Sequence, residues 1–337
     1  MGDTLLMTPL IRLFKQTYPH IAIDTVLNRL PSEVLRNNPY IGEVIVAPSK
    51  EEGWKGFLHL IRVLRSRSYD AVVDFLSTPS SAAVSFLTGA RVRIGWNLRF
   101  RRVFYSHLIE RSEEVIYGVK AKAQLLQPFD IKVHDDDLLL PEVFLSQEDE
   151  DWADNWWREW HCEALVWALA PFCRKKERMW DVTLWAQLLE NLSNIWKIRF
   201  ALLALESERE DLRLISETLG PLCRWVGAPD PLKAAAVMKR CQLALTGENG
   251  ILHLGISVRV PLVAIFSGKD DPRLWVPYHP SGIFDFVDLR TTEDGSDEQL
   301  SHSSLQSTHQ DPKWLGSQVL RKIDQFVRNV SSFKSSL

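Results

Sequence analysis

The fold is decided by Leu243-Ala-Leu-Thr-Gly-Glu-Asn-Gly-Ile-Leu-His253, which is followed by the apolar stretch Val260-Pro-Leu-Val-Ala-Ile-Phe266. This pattern predicts a strand, a glycine-bracketed turn and the start of a helix. Asn249 is a good N-cap, and the free N–H groups beyond it, together with the helix dipole, can hold a phosphate. An ordinary βα turn with a capped helix has the same pattern, so the residues alone leave both interpretations open.

Outward from this turn, strand and helix patterns alternate along the chain. Predicted strands lie at Ile21–Leu27, Glu43–Val46, Ala71–Phe75, Arg91–Ile94, Leu165–Leu169, Phe200–Leu205, Leu243–Thr246 and Val260–Phe266. Helices are predicted between them, as at Trp54–Arg67, Val182–Asn191 and Glu208–Leu219. Such alternation is typical of right-handed βαβ units and of parallel sheets covered on both faces. The predicted fold class is therefore α/β.

An acidic segment divides the two halves of the chain. Between Val133 and Trp157 there are nine Asp and Glu residues and no Lys or Arg, and Pro141 lies among them. Such a composition shift indicates a domain boundary. We therefore predict an N-terminal Rossmann-like domain at residues 1–145 and a second at 160–310. A closing helix at 312–332 is expected to pack back toward the N-terminal domain.

Composition excludes several classes of protein. At 337 residues, 45% hydrophobic and 25% charged, the chain has the balance of a folded protein of two domains. The formal net charge of -3 argues against a general nucleic-acid binder. The four cysteines include no C-x-x-C pair, so no metal site or disulfide framework is indicated. No apolar run approaches the ~20 residues of a membrane-spanning helix, and no signal peptide is recognisable, so we expect a cytoplasmic protein.

Several segments, in order, resemble those of the bacterial lipopolysaccharide heptosyltransferases, glycosyltransferase family 9. The family's donor motif reads Asp-Thr/Ser-Gly-x-x-His, followed by a strand and a Thr-Asp-Pro-x-x-Trp-x-Pro-Tyr segment. The matching segments here are Gly2–Pro9, Asn38–Ile45, Tyr69–Asp74, Thr88–Gly95, Leu243–His253 and Asp271–Tyr278. The resemblance covers essentially the whole chain. It implies twin Rossmann-like domains of the GT-B glycosyltransferase type with a cleft between them, the acceptor on the first domain and the nucleotide-sugar on the second.

The resemblance also implies a donor site around the turn. Glu248 matches the motif's Asp, Asn249 its Thr/Ser, and Gly250 and His253 match directly. Glu for Asp lengthens the carboxylate arm, and Asn keeps the cap while losing the compact hydroxyl. Replacing Asn249 by Thr, which restores the family's hydroxyl, is therefore expected to be tolerated or even to strengthen donor binding.

Further donor contacts are implied earlier in the second domain. Glu208 matches a family glutamate that contacts the donor. Arg178 matches a lysine that neutralises the diphosphate, and Lys175 or Lys176 are alternatives for that role. Arginine keeps the charge with a different hydrogen-bonding geometry. The family's Pro-Gly phosphate turn reads Ala170-Pro-Phe-Cys173 here, without its glycine.

Asp3 is the candidate catalytic base. Transfer with inversion needs a carboxylate that takes the acceptor hydroxyl's proton as the hydroxyl attacks the anomeric carbon, through an oxocarbenium-like transition state. From its position alone, Asp3 would N-cap the helix that follows it; the resemblance favours the base. Family members begin with an apolar strand before the Gly-Asp, whereas Met1 directly precedes Gly2 here. We therefore expect the N-terminal sheet to lack that strand.

A basic stretch lies in the first domain. From Trp54 to Arg111 there are ten Lys and Arg residues against three Asp and Glu, a net charge of +7. A solvated surface is the usual explanation of a charge run, but clustering in a net acidic protein favours an anionic lipid-linked acceptor or a membrane surface. The cations expected to face them are Arg91, Arg93, Arg99, Arg101 and Arg102.

Taken with the resemblance, these features predict an inverting glycosyltransferase at the inner face of the cell membrane. It would move a heptose or related sugar from a nucleotide-diphosphate sugar, ADP-heptose being one candidate, to a lipopolysaccharide-core-like or other lipid-linked acceptor. No other cofactor, no metal and no nucleic acid are expected. A nucleotide-sugar epimerase of the same fold, or a non-catalytic sugar-nucleotide-binding relative, are the alternatives.

Overall fold

The computed structural model describes residues 1–134, 138–173, 179–204, 208–267, 270–289 and 312–334. The chain forms two compact units, one of Asp3–Phe144 and one of Leu145–Leu337. The division falls inside the acidic segment where the sequence placed a domain boundary. The second half of that segment is a helix of the second unit.

The first unit is α/β with parallel strands. Its helices are α1 (Gly2–Thr17), α2 (Arg29–Glu33), α3 (Gly53–Ser66), α4 (Pro79–Leu87) and α5 (Gly118–Ala123). Its strands are β1 (Asp24–Leu27), β2 (Glu43–Val46), β3 (Ala71–Val73), β4 (Val92–Trp96) and β5 (His107–Ile109). Among the described strands, β1 pairs with β2, and β3, β4 and β5 form a separate sheet in that order. The expectation that the N-terminal sheet lacks the family's strand before Gly-Asp stays a prediction.

Helix α1 tolerates an internal proline because a side chain replaces the lost hydrogen bond. Pro9 has no N–H to donate to the carbonyl of Leu5. The hydroxyl of Thr8 donates to that carbonyl instead, at 2.7 Å, and accepts a hydrogen bond from the backbone N–H of Glu142 at 2.9 Å. Residues from Thr4 through Ile11 are buried. The helix is therefore firmly held in its unit, and so is Asp3 in its first turn.

The second unit is built on one six-stranded parallel sheet. Its helices are α6 (Gln147–Trp160), α7 (Val182–Trp196), α8 (Arg209–Leu219), α9 (Pro231–Met238), α10 (Gly250–Ser257) and α11 (Pro312–Lys334). Its strands are β6 (Val166–Ala170), β7 (Arg199–Leu202), β8 (Cys223–Trp225), β9 (Leu243–Thr246), β10 (Leu262–Phe266) and β11 (Phe284–Asp288). The strand order is β11-β10-β9-β6-β7-β8, so the chain reverses its direction of travel across the sheet between β6 and β9.

The core of this unit explains the continuous apolar runs of its central strands. Every residue of β6, β9 and β10 is buried, because a parallel sheet is covered by helices on both faces. The core also includes Val319, Ile323, Phe326, Val327 and Val330 of α11, at helical spacing. Each Å² of apolar surface that this helix buries contributes about 25 cal/mol to the stability of the second unit.

The position of α11 corrects one expectation. The sequence predicted that helix 312–332 packs back toward the N-terminal domain. Its buried residues instead join the core of the second unit, where it contacts α7 and β11. The Arg328 guanidinium lies over the Trp196 ring of α7, and Lys322 Nζ over the Phe286 ring of β11. These contacts place the helix with the second unit.

The acidic residues of α6 have partners on α9 and beside it. Lys233 Nζ lies 2.8 Å from Glu148 Oε1 and 3.4 Å from Asp230 Oδ2. Lys239 Nζ lies 2.8 Å from Glu150 Oε1, and Arg240 binds the same carboxylate. Glu148 and Glu150, which belong to the charge run that marks the boundary in the sequence, thus lie on the face of α6 that packs against α9.

Candidate donor site and candidate base

Two loops meet at the point where the strand order reverses. Strands β6 and β9 are neighbours, and the loops after them are Ala170–Cys173 and Gly247–Asn249. The backbone N–H of Gly247 donates to the Ala170 carbonyl at 2.8 Å, and Cys173 Sγ donates to the Glu248 carbonyl at 2.9 Å. In open α/β sheets, ligands bind at this reversal, outside the carboxyl ends of the strands. The two loops therefore form one connected surface at the expected ligand-binding edge.

Asn249 holds this surface together with both ends of its amide. Its Oδ1 accepts from the N–H groups of Ile251 at 2.9 Å and Leu252 at 3.3 Å, which confirms the predicted N-cap of α10. Its Nδ2 donates to the carbonyls of Ala170 and Phe172, both at 2.8 Å. A threonine hydroxyl can cap the helix but cannot also reach two carbonyls of the neighbouring loop. These two bonds make a loss of stability and of donor binding the better expectation for Asn249→Thr.

Gly247 is required by the closeness of the two loops. A Cβ atom at this position would lie 2.8 Å from the carbonyl oxygen of Pro171. That oxygen belongs to the backbone and cannot move aside as a flexible side chain would. The glycine of the sequence motif thus has a packing role, which is the close approach of two backbones.

Glu248 and His253 are both buried beside the start of α10. The His253 ring lies edge-on to the Trp275 ring, with 5.9 Å between centroids. Trp275 follows a 3-10 turn at Pro272–Leu274, which begins with an N-cap hydrogen bond from the Arg273 N–H to Asp271 Oδ1 at 2.9 Å. The two segments of the sequence motif, 243–253 and 271–278, are therefore in contact through a histidine and a tryptophan.

The other predicted donor residues lie apart from this contact or outside the described residues. Glu208 is the N-cap residue of α8 and is partly buried. Helix α8 follows β7, the strand next to β6 on the side away from β9. Lys175, Lys176 and Arg178 fall in residues 174–178, outside the described part of the chain. Their contact with the diphosphate stays a prediction.

In the first unit, Asp3 lies in the first turn of α1 and not at its cap. Met1 is the N-cap residue and makes no side-chain cap hydrogen bond, so the alternative that Asp3 caps the helix is wrong. The Asp3 carboxylate is 54% exposed and its Oδ1 lies 3.0 Å from Lys122 Nζ. The same Nζ lies 3.4 Å from the carbonyl oxygen of Phe75, two residues after the end of β3. Lys122 could not be predicted from the sequence, because nothing in the pattern of α5 connects it to residue 3.

A buried hydrogen-bond network fixes the loop that Lys122 contacts. Asp74 Oδ1 accepts from the N–H of Leu76 at 3.1 Å and of Ser77 at 2.8 Å. The Tyr105 hydroxyl donates to Asp74 Oδ2 at 2.8 Å. Burial raises the pKa of Tyr105, and the negative charge of Asp74 adds to the shift. The end of β3 is therefore rigid where it receives the Lys122 ammonium group.

The predicted surface cations separate into two kinds. The Arg93 guanidinium donates to the carbonyls of Ala90 at 2.5 Å and Phe104 at 2.9 Å, so it supports the fold. Arg91, Arg99 and Arg102 are exposed, and Arg101 is partly buried. No helix in the described part of the chain combines the length and apolar composition needed to cross a membrane. Nor do the described residues contain a cluster of metal-binding side chains.

The six-stranded parallel sheet with its connected loops, and the parallel α/β unit before it, define a protein of the twin Rossmann-like class. A family model described as glycosyltransferase family 9 (heptosyltransferase) matches residues 57–298. The chain belongs to glycosyltransferase family 9, and it is a glycosyltransferase enzyme.

Relatives and solved structures agree with this assignment. The chain is 24% identical over 295 residues to lipopolysaccharide heptosyltransferase 3 of Escherichia coli, covering 82% of this chain and 83% of that protein. The solved E. coli ADP-heptose lipopolysaccharide heptosyltransferase II is similar with a TM-score of 0.75 at 20% identity, over 96% of this chain and 95% of that one. The structure of E. coli heptosyltransferase WaaC with ADP-2-deoxy-2-fluoro heptose is similar with a TM-score of 0.64 at 17% identity. The similarity covers 91% of this chain and 95% of that one. The fold is thus of the GT-B type.

Proposed function

We propose that this enzyme transfers a heptose or a related sugar, with inversion, from a nucleotide-diphosphate sugar to a lipid-linked glycan acceptor such as a lipopolysaccharide core. The observation that carries the proposal is the pair of loops joined by Asn249 at the reversal of strand order, where such sheets bind ligands. The solved relative with ADP-2-deoxy-2-fluoro heptose supports the donor class. ADP-heptose is therefore the first donor to test.

The donor chemistry divides between backbone and side chains. The start of α10 presents the positive end of a helix dipole, which attracts the diphosphate. The buried Glu248 carboxylate accepts hydrogen bonds only, so it suits sugar or ribose hydroxyls and not phosphate. The predicted cations Lys176 and Arg178 would neutralise the diphosphate, and Glu208 would contact the donor, without a metal ion.

The transfer step needs a base for the acceptor hydroxyl, and Asp3 is the proposed group. The hydroxyl oxygen forms the new bond to the anomeric carbon while the bond from that carbon to the diphosphate oxygen breaks. The nucleoside diphosphate leaves with the electron pair, and the hydroxyl proton goes to the Asp3 carboxylate. The ammonium group of Lys122, 3.0 Å from Asp3 Oδ1, supports this role because it orients the carboxylate.

The acceptor is proposed to be anionic and attached to a membrane. Arg91, Arg99, Arg101 and Arg102 support this, since they lie in a segment of net charge +7 within a chain of net charge -3. We accordingly place the enzyme at the inner face of the cell membrane, held there peripherally. No nucleic-acid partner is proposed.

Calorimetry and transfer assays test the proposal together. Wild type should bind ADP-heptose more tightly than a UDP-sugar, and it should transfer the sugar to a lipid-linked core glycan. Glu248→Gln and His253→Ala should both weaken donor binding, whereas Ile195→Ser, at a half-exposed side chain of α7, should not. Conversion of the donor without any acceptor would indicate an epimerase. Binding without transfer to any acceptor would indicate a non-catalytic relative.

A further inference from the structure

Large apolar side chains are exposed on three adjacent elements of the first unit. Phe100 is 82% exposed and Val103 is 73% exposed, both in or beside the 3-10 turn that follows β4. Phe86 of α4 and Leu58 of α3 are each exposed over close to half of their surface. Helix α3 contacts α4, and α4 contacts the turn. The Phe86 ring packs against Phe104 of the turn, so Phe86, Phe100 and Val103 make up what we call the apolar patch.

The turn at residues 98–104 presents its outer side chains rigidly. The N–H groups of Arg101 and Arg102 donate to the Leu98 carbonyl at 2.8 and 3.1 Å, which closes the turn. The Arg93 guanidinium donates to the Phe104 carbonyl, and the Phe104 ring packs edge-on against Phe86 at 5.9 Å between centroids. The inner side of the turn is therefore anchored. Phe100 and Val103 are exposed to solvent, although a turn of this kind does not require large apolar residues there.

The charge around the apolar patch has one sign. Residues 53–66, 79–87 and 88–104 contain eight Lys and Arg residues and no Asp or Glu. The exposed cations among them include Arg62, Arg65, Arg91, Arg99 and Arg102. The Arg99 guanidinium lies over the Phe100 ring, 5.3 Å from its centroid. Exposed apolar side chains in a segment that carries only positive charges are complementary to an anionic surface with an apolar interior.

We propose that the 98–104 turn inserts Phe100 and Val103 into the headgroup region of an anionic lipid bilayer, while the surrounding arginines bind lipid phosphates. A second copy of this chain is a poorer occupant, because a two-fold contact would bring the same cations face to face. A nucleic acid would gain nothing from burying Val103. The inference deepens the membrane part of the proposed function and is independent of the sugar chemistry.

Vesicle sedimentation with the full chain tests the insertion. Wild type should bind vesicles of phosphatidylcholine with phosphatidylglycerol, and binding should weaken as salt rises, since exposed charges are screened within ~8 Å at physiological ionic strength. The double variant Phe100→Ser/Val103→Ser should bind at least about tenfold more weakly, because two apolar side chains no longer leave water. The matched control Ile195→Ser, at a half-exposed apolar residue of α7, should bind as wild type does.

Four results would overturn the proposal. The first two are that wild type does not bind anionic vesicles, or that the double variant binds them as tightly as wild type does. The other two are that wild type self-associates, or binds nucleic acid, and that the double variant loses this property. Donor affinity, measured by calorimetry without vesicles, should be the same in wild type and the double variant. If wild type does not bind the donor at all, the proposed function fails while the vesicle result still stands. The two failures are therefore distinguishable.

Discussion

Lys122 Nζ lies 3.0 Å from Asp3 Oδ1 and 3.4 Å from the carbonyl oxygen of Phe75. The lysine side chain is only 13% exposed, whereas the Asp3 carboxylate is 54% exposed. A mostly buried ammonium group thus ties a solvent-accessible carboxylate to the carboxyl end of β3. This arrangement orients Asp3 and leaves about half of its carboxylate accessible to solvent.

Asp3→Asn should lower turnover by roughly 10²–10⁴-fold, the usual contribution of a general base. Donor affinity should barely change, because the amide has nearly the same shape and the proposed donor site lies in the second unit. Single-turnover transfer and calorimetry measure the two effects separately. Full activity in Asp3→Asn would show that the base is another group.

Lys122→Met should lower turnover, because the Asp3 carboxylate loses the ammonium group that orients it. The loss should be only roughly three- to tenfold, because a partly exposed ion pair contributes less than a buried one. Lys122→Arg should recover most of the rate, since it restores a cation near Asp3. In the Asp3→Asn background, Lys122→Met should have little further effect on turnover. Equal losses in both backgrounds would mean that Lys122 acts on the fold and not on Asp3.

Tyr105→Phe should cost about 1–3 kcal/mol of stability at neutral pH, because the buried Asp74 carboxylate loses a hydrogen-bond donor. Folding raises the pKa of Tyr105, so its contribution is complete below its unfolded pKa of about 10 and is lost as pH rises above that value. The stability difference between wild type and variant should therefore narrow in alkaline solution. Tyr69, whose pKa is also raised by burial, is present in both proteins, so its contribution cancels.

Denaturant unfolding across this pH range measures the difference, with Tyr278→Phe at an exposed position as the control. If the stability difference between wild type and Tyr105→Phe stays constant or widens above pH ~10, the pKa of Tyr105 is not raised by folding.

The sequence predicted the central strands well and missed three of the edge strands. Predicted Leu165–Leu169 and Val260–Phe266 correspond to β6 and β10, because buried parallel strands are continuous apolar runs. Three strands, β5, β8 and β11, had no counterpart in the prediction. Each lies at the edge of its sheet and is partly exposed, so its apolar signal is weak.

The same distinction holds for the candidate site. The helix cap by Asn249 was predictable because a cap acts on the next three residues of the chain. Its bonds to Ala170 and Phe172 were not, since they depend on β6 and β9 being neighbours. The Asp3–Lys122 pair was hidden because it joins two helices, α1 and α5, that are far apart in the chain. Sequence periodicity reports neither strand order nor contacts of this kind.

Substitutions of Asn249 can therefore distinguish its role as a helix cap from its role in joining the two loops of the proposed donor site. Asn249→Thr should retain the cap but leave the Ala170 and Phe172 carbonyls without their amide donor, at a cost of about 1–2 kcal/mol in unfolding free energy. Asn249→Ala should lose about 1 kcal/mol more, because the cap goes as well.

The matched control is Asp181→Ala, which removes the N-cap of α7, where the carboxylate accepts from Thr183 N–H at 2.8 Å. It should cost about 1 kcal/mol, as a cap alone does, and leave donor affinity unchanged. Both Asn249 variants should weaken donor binding, because the loop at Ala170–Cys173 is released from the start of α10. Denaturant unfolding and calorimetry with ADP-heptose measure the two effects. If Asn249→Thr binds the donor as well as wild type does, the amide bridge between the loops does not preform the site, and the family's hydroxyl is a sufficient substitute.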